Sequence, residues 1–181
     1  MIFSLFRKKN NNQAIVEQQY KALTDAARQP FFYSDLGVPD SVMGRLEMLS
    51  AVLILYFRRT AKASVGVQQI SQEIVDAFFQ DVDHSIRELG VGDLSVPKRM
   101  KKLAGRFYGR MESYSEALNS ADTQKLAEAL KRNFHPLTLE TAPDMSGLAA
   151  YLLTAEANLA EMSDDTLLSG LLTLPLAASG N

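Results

Sequence analysis

The sequence predicts an all-α protein, a single-domain bundle of about six to seven helices around one nearly fully buried central helix. Apolar residues recur with the helical period along most of the chain, and no window of four or more residues alternates convincingly as a strand. A chain of 181 residues suits one domain, which can bury roughly two-thirds of its unfolded surface. We expect a flexible apolar and basic N-terminus at 1–12, one helical domain at 13–172 and a loose tail at 173–181.

The first helix fits 13–28, and Pro30 closes it because the residue before a proline disfavours helical dihedrals. After a connector, a second helix covers about 41–59 and begins at Asp40 or Ser41, either of which can cap it. Its apolar residues point in nearly every direction around the helix axis. A helix of this kind belongs in the middle of a bundle, so we expect it to form the core.

The third helix, at about 67–89, has one apolar half and one polar half. Gly90 is placed to end it in a left-handed conformation. A fourth helix covers 96–119 and is expected to be capped by Ser95, with a continuous apolar stripe on one side. Pairs expected at i,i+4 on the third helix are Asp83 with Arg87 and His84 with Glu88. Later helices are predicted at 121–134, at 146–162 and, capped by Ser163, as a short element through Leu172.

Composition removes several classes of function. The chain has no cysteine, which excludes disulfides, thiolate nucleophiles and cysteine-ligated metal sites. Its two histidines, His84 and His135, are too few for a multi-histidine metal site, so we expect no metal and no cofactor. Motifs of serine hydrolases, zinc proteases and phosphate-binding loops are missing from the sequence. We therefore expect no catalytic residues.

Positive charge is concentrated in the fourth helix. Residues 98–110 hold six cations and no acid, whereas no lysine or arginine follows Arg132. Like charges at i,i+4 cost roughly a few tenths of a kcal/mol each, so the stripe favours an anionic partner such as RNA, a ribosome, lipid headgroups or an acidic protein. The alternative is neutralisation within the fold by the acidic segment 133–181. The candidate partner-binding residues are Lys98, Arg99, Lys101, Lys102, Arg106 and Arg110.

The N-terminus places apolar residues ahead of its charges, an order unlike that of a secretory signal. It is interpreted either as a frayed end or as a weak membrane contact, with apolar side chains in the bilayer and cations on anionic headgroups. The longest clean apolar stretch, 48–57, is ten residues long against the roughly twenty that a bilayer span needs. The candidate membrane-contact residues are Ile2, Phe3, Leu5, Phe6, Arg7, Lys8 and Lys9.

The segment 81–110, DVDHSIRELGVGDLSVPKRMKKLAGRFYGR, resembles the central signature of the ubiquinol–cytochrome c chaperone family. The family pattern is D-x-D-H, R-E-x-G-V-G-D, V-P-K-x-M-K and F-Y-G-R, in that order, and the resemblance extends over about 30–170. The matching residues are Asp81, Asp83, His84, Arg87, Glu88, Gly90, Val91, Gly92, Asp93, Val96, Pro97, Lys98, Met100, Lys101, Phe107, Tyr108, Gly109 and Arg110.

The resemblance implies a helical, non-enzymatic assembly factor for cytochrome b of the respiratory ubiquinol–cytochrome c reductase. Mitochondrial members lie on the matrix side of the inner membrane, contact the ribosomal exit region and hold newly made cytochrome b together with a small partner protein. The compact length and the missing presequence look like a bacterial member. We expect a cytoplasmic protein, peripheral on the cytoplasmic face of the inner membrane, whose partners are cytochrome b, the ribosome, the membrane surface and a small co-chaperone.

Two other functions compete with this one. An RNA-binding or translational regulator would use the same basic helix, 96–119, and would bind isolated RNA. An enzyme acting on a lipid or a quinone would use His84 as a base and would need an enclosed cavity that reaches it. A hydrogen-bonded surface histidine is the favoured interpretation of His84, and the absence of a catalytic cluster makes the enzyme the weakest of the three.

Overall fold

Helices make up all the regular secondary structure in residues 2–90 and 92–177, the part of the chain that this computed structural model describes; side chains are described from residue 12 onward. The predicted all-α bundle is confirmed. The helices are α1 (Ile2–Ala27), α2 (Pro30–Ser34), α3 (Val42–Thr60), α4 (Val65–Glu88), α5 (Val96–Asn119), α6 (Thr123–Phe134), α7 (Ser146–Glu161) and α8 (Asp164–Leu168).

Helix α3 is the centre of the bundle, as the sequence predicts. Twelve of its 19 residues are buried, and it contacts α1, α4, α5, α6 and α7. The side-chain oxygen of Ser41 accepts a hydrogen bond from the Gly44 amide at 3.1 Å, which confirms the predicted cap. Because neighbouring helices cover it from Glu47 to Phe57, the apolar middle of α3 loses most of its contact with water.

The N-terminal elements differ from the prediction in two ways. Helix α1 begins at Ile2 rather than at residue 13, and the short helix α2 occupies part of the predicted connector. Pro30 stands at the first position of α2, where the missing amide N–H has no intrahelical partner to lose. The same proline that ends α1 therefore also starts α2.

Ser163 caps α8, because its Oγ accepts a hydrogen bond from the Thr166 amide at 3.1 Å. The helix ends at Leu168 rather than at Leu172, because Gly170 takes up a left-handed conformation at φ +88°.

The segment that follows α8 returns to the start of the chain. The hydroxyl of Tyr151 donates to the Pro175 carbonyl at 3.1 Å, and the Ala177 amide donates to the Gln29 side chain at 2.6 Å. Residues 173–177, expected as a loose tail, are thus hydrogen-bonded to α7 and to the α1–α2 junction. The division of the chain into three segments stays a prediction.

Helix α5 packs on α3, α4 and α6 through the predicted apolar stripe, all of which touches the core. Phe107 is its anchor: the ring centroid lies 6.1 Å from Phe57, 5.5 Å from Phe78 and 6.0 Å from Phe79. This cluster fixes the rotation of α5 about its axis, and so decides which of its residues face water. None of the described helices is long and apolar enough to cross a bilayer.

Candidate functional site: a cationic face on helix α5

The turn between α4 and α5 sets the starting point of α5. Gly90 ends α4 at φ +78°, the left-handed conformation that the sequence predicts. Arg87 donates to Asp83 at 2.7 Å and to Asp93 at 2.5 Å, so its guanidinium ties the last turn of α4 to the turn that follows. The hydrogen bond from Arg87 lowers the pKa of Asp83. The expected pairing of Asp83 with Arg87 is confirmed.

Ser95 stands directly before α5, at the predicted N-cap position, but the expected side-chain cap is not formed. Its Oγ donates to the Gly92 carbonyl at 2.9 Å instead. The dihedrals of Ser95, φ −97° and ψ −16°, are those of a helical turn rather than the extended conformation that an N-cap requires. Pro97 lies in the first turn and has no amide N–H, so one of the usual uncapped donors is missing.

Helix α5 turns five of its six candidate cations into solvent, and we call these five the cationic face. Each is exposed, and none forms a salt bridge with another described residue. No ion pair among the described residues therefore neutralises this charge, although Arg106 lies close enough to Glu47 to lower its pKa. The cationic face consists of Lys98, Arg99, Lys101, Lys102 and Arg106.

Two of the six acids after residue 133 form ion pairs with described residues, and neither pair is with the cationic face. Glu156 binds Arg58 at 2.6 Å, and Asp164 binds Arg59 at 2.8 Å. Both arginines lie in the last turn of α3, and neither ion pair includes a cation of α5. Within the described chain, the segment 133–177 supplies no ion-pair partner to the cationic face, and the alternative of internal neutralisation loses its support.

The sixth cation, Arg110, lies in the core. It is 8% exposed and donates to Glu47 of α3, itself 7% exposed. Burial raises the pKa of Glu47 to about 7, although the neighbouring guanidinium groups of Arg110 and Arg106 lower it. Among the described atoms, Glu47 Oε2 and Arg110 Nε have no hydrogen-bond partner. Arg110 joins α5 to α3, so we leave it out of the cationic face.

Sequence reasoning missed this pair, although one signal pointed to it. Glu47 is the single acid of α3 and begins its apolar stretch, and a buried carboxylate needs a cation or a proton. The partner, Arg110, stands 63 residues further along the chain. Arg110 is the last cation of the charged run, but it also lies near the side of α5 that faces the core, so the sequence did not show which environment it has.

Two aromatic members of the family signature have opposite environments. Phe107 is buried at 3% exposure, whereas Tyr108 is 56% exposed and follows Arg106 and Phe107 on α5. A Cβ added at Gly109 would meet nothing within 4 Å, so packing inside the fold does not require a glycine there. Because Tyr108 is exposed, a partner that contacts Lys101, two turns earlier on the same side of α5, could also contact its ring.

His84 is a surface residue. Its side chain is 75% exposed, and its Nε2 lies 3.2 Å from Glu88, as the i,i+4 spacing predicts. The adjoining hollow, lined in part by Phe79 and Asp83, is open to solvent. The enclosed cavity that an enzyme using His84 would need is not found at this residue.

The candidate membrane contact at the N-terminus belongs to α1, whose backbone is helical from Ile2. The side chains that would make this contact lie outside the described residues: Ile2, Phe3, Leu5, Phe6, Arg7, Lys8 and Lys9.

Comparisons with known proteins agree with the signature. The family model for Ubiquinol-cytochrome C chaperone matches residues 34–174, which include the whole segment 81–110. A crystal structure of the Cbp3 homolog from Brucella abortus is 46% identical in sequence, superposes with a TM-score of 0.91 and is covered over 100% of both chains. No curated protein gives a match. The family match spans most of the sequence and the likeness spans the whole fold; the chain belongs to the ubiquinol–cytochrome c chaperone family.

Proposed function

We propose that this protein binds newly made cytochrome b and assists the biogenesis of ubiquinol–cytochrome c reductase. Family membership supports an assembly role for the chain. The proposal places the protein at the cytoplasmic face of the inner membrane, where the domain at 13–172 carries the function and a small co-chaperone is a further partner. The single observation that carries the mechanism is the exposed, unpaired cationic face of α5.

The cationic face would hold the protein where its client emerges. Ribosomal RNA and anionic lipid headgroups both present closely spaced phosphates, which attract clustered lysines and arginines. Salt weakens such an attraction, because it screens the charges and reduces the gain from counterion release. Recruitment to the surface and recognition of the client are thus separate tasks, and the cationic face performs the first.

A second candidate function is RNA binding by the same helix. The observation that favours it is Tyr108, an exposed aromatic ring on the same helix as the cationic face, two turns after Lys101 and on the same side. Proteins that bind single-stranded RNA combine cations along the backbone with aromatic rings on which bases stack. Such a regulator would bind isolated RNA whether or not cytochrome b is being made.

Recovery of newly made cytochrome b with the protein tests the proposed function. Cells carrying an affinity-tagged copy are pulse-labelled, and the proteins bound to the tagged copy are separated. We expect cytochrome b to be enriched over another respiratory membrane protein labelled in the same pulse. Recovery of RNA without labelled cytochrome b, unchanged when cytochrome b synthesis is blocked, would reject the chaperone and support the RNA-binding regulator.

A further inference from the structure

A groove of about 440 Å³ lies between α1, α3 and α4 and reaches α5 at Leu103. Most of its surface is apolar. Its floor is formed by residues from the inner stripes of the helices, yet the four helices do not close over it. The groove is therefore the place where the core of the bundle is accessible from outside. Its floor and walls include Leu46, Leu49, Phe78, Val82, Ile86 and Leu103.

Large apolar side chains continue from the groove onto the surface around it. Val42 is 63% exposed, Met43 45% and Leu89 66%, and all three line the groove. Contiguous exposed apolar residues mark a binding surface more often than a solvated one. A ligand confined to the groove would leave these three side chains in water. A helix laid along the opening would cover them together with the groove.

The charges beside the groove are mainly positive. Arg28 lines it, is exposed and makes no side-chain hydrogen bond to any described residue. On α5, Arg99 and Arg106 stand one turn before and one turn after Leu103, and so share its side of the helix. Asp81 is the one acid of the lining, and its carboxylate contributes with burial to the raised pKa of Tyr20.

The wall of the groove also contains a polar group without a partner. Thr24 Oγ1 is buried and makes no hydrogen bond within the described chain. A buried hydroxyl that lacks a partner costs roughly 1–3 kcal/mol. Because this atom is inaccessible to solvent, an occupant would reach it only if the wall moved, and the choice of occupant does not depend on it.

We propose that this groove binds an apolar helical segment of a membrane protein whose flanking residues are acidic. Apolar anchors at i, i+3 and i+4 would enter the groove and cover Val42, Met43 and Leu89, and flanking carboxylates would meet Arg28 and Arg106. The inference rests on the proposed function and names the surface that takes the client. The groove would shield part of a membrane helix from water before its insertion.

Two synthetic peptides test the inference with the full chain. Both are 18-residue helices of leucine and alanine; one carries glutamates near its ends, and the other carries lysines at the same positions. Fluorescence anisotropy is expected to show at least tenfold tighter binding of the glutamate peptide. The Met43→Glu/Leu89→Gln variant is expected to weaken that binding by at least tenfold. Glutamate at position 43 lies in the first turn of α3, where the helix dipole favours it.

The matched control is Leu137→Glu/Leu176→Gln, which removes two exposed leucines outside the groove lining and adds the same charge. It is expected to bind like the unmodified protein. Equal binding of the two peptides, or unchanged binding by the groove variant, would overturn the inference. A third result would also overturn it: the groove variant no longer binds anionic vesicles but still binds the glutamate peptide. An acyl chain would then be the occupant of the groove.

Client recovery separates the two claims. If the groove variant still recovers pulse-labelled cytochrome b as the unmodified protein does, the groove inference fails and the proposed function stands. If the unmodified protein recovers no cytochrome b but binds the glutamate peptide, the proposed function fails and the groove remains a site for apolar helices with acidic flanks.

Discussion

Replacing Glu47 with leucine is expected to lower the free energy of unfolding by about 3–5 kcal/mol, the usual cost of leaving one member of a buried ion pair without its partner. The guanidinium of Arg110 is 8% exposed and would lose its one described counter-ion. Its Nε already lacks a hydrogen-bond partner in this part of the structure. No other described acid forms an ion pair with Arg110, so most of the penalty should appear as lost stability.

Replacing Arg110 with methionine is expected to cost less. The pKa of Glu47 is already raised to about 7 by burial, so near neutral pH the carboxyl can take up a proton and become neutral when its cation is removed. A guanidinium has no such escape, because it stays protonated in proteins. The two single variants should therefore lose unequal amounts of unfolding free energy, with the larger loss on removal of Glu47.

Urea unfolding of three variants measures this difference. The double variant Glu47→Leu/Arg110→Met is expected within roughly 1 kcal/mol of the unmodified protein or above it, because well-packed apolar residues replace a buried pair at little net cost. Two results would contradict the buried pair. In the first, the double variant loses as much unfolding free energy as the two single variants together. In the second, each single variant loses under about 0.5 kcal/mol, the range of ordinary surface substitutions.

Reversing three charges of the cationic face is expected to weaken association with ribosomes or anionic vesicles by at least about tenfold at low salt. The variant is Lys98→Glu/Lys102→Glu/Arg106→Glu. Each substitution removes an attraction to phosphate and adds a repulsion. The salt dependence of binding should also become shallower, by roughly 0.7–0.9 in the slope of log K against log salt for each phosphate that the variant no longer neutralises.

The fold should tolerate this variant apart from one internal effect: Arg106 lowers the pKa of buried Glu47, and a glutamate at position 106 would raise it instead. None of the three residues has an ion-pair partner among described residues, and all three are exposed. Repulsion between neighbours at i,i+4 is unchanged when all three signs are reversed. Lys98 lies in the first turn of α5, where a negative charge is favoured by the helix dipole.

A matched control separates local charge from net charge. Lys21→Glu/Lys62→Glu/Arg132→Glu reverses three exposed cations outside α5, and either triple variant takes the formal net charge from −2 to −8, since each reversal subtracts two. Co-sedimentation should fall for the α5 triple and change little for the control. Equal co-sedimentation of the α5 triple and the unmodified protein at low salt would remove the proposed role of the cationic face.

The elements that the sequence predicts well depend on local physics. The apolar residues all round α3 indicate its central place without knowledge of its neighbours. Gly90 and the pairing of Asp83 with Arg87 follow from residues close together in the chain. The predicted cap at Ser95 failed because a nearby carbonyl, that of Gly92, offered its hydroxyl another hydrogen bond.

The features that could not be predicted depend on contacts between distant segments. In the sequence, Arg110 belongs to a run of cations. It is buried because the packing of Phe107 sets which side of α5 faces α3, and this orientation depends on contacts that the sequence alone does not show. The groove is a similar case. Leu46 and Leu103 each look like ordinary core positions, and the space between them exists because of how four helices meet.

The central claim is that the protein is needed to assemble cytochrome b, and a reduced-minus-oxidised haem spectrum tests it most directly. Membranes are prepared from source cells that lack the gene and are grown by respiration. We predict selective loss of the b-type signal of the reductase, restored by the unmodified gene but not by the triple reversal of the cationic face. An intact b-type signal in the deletion strain would contradict a required role in cytochrome b assembly.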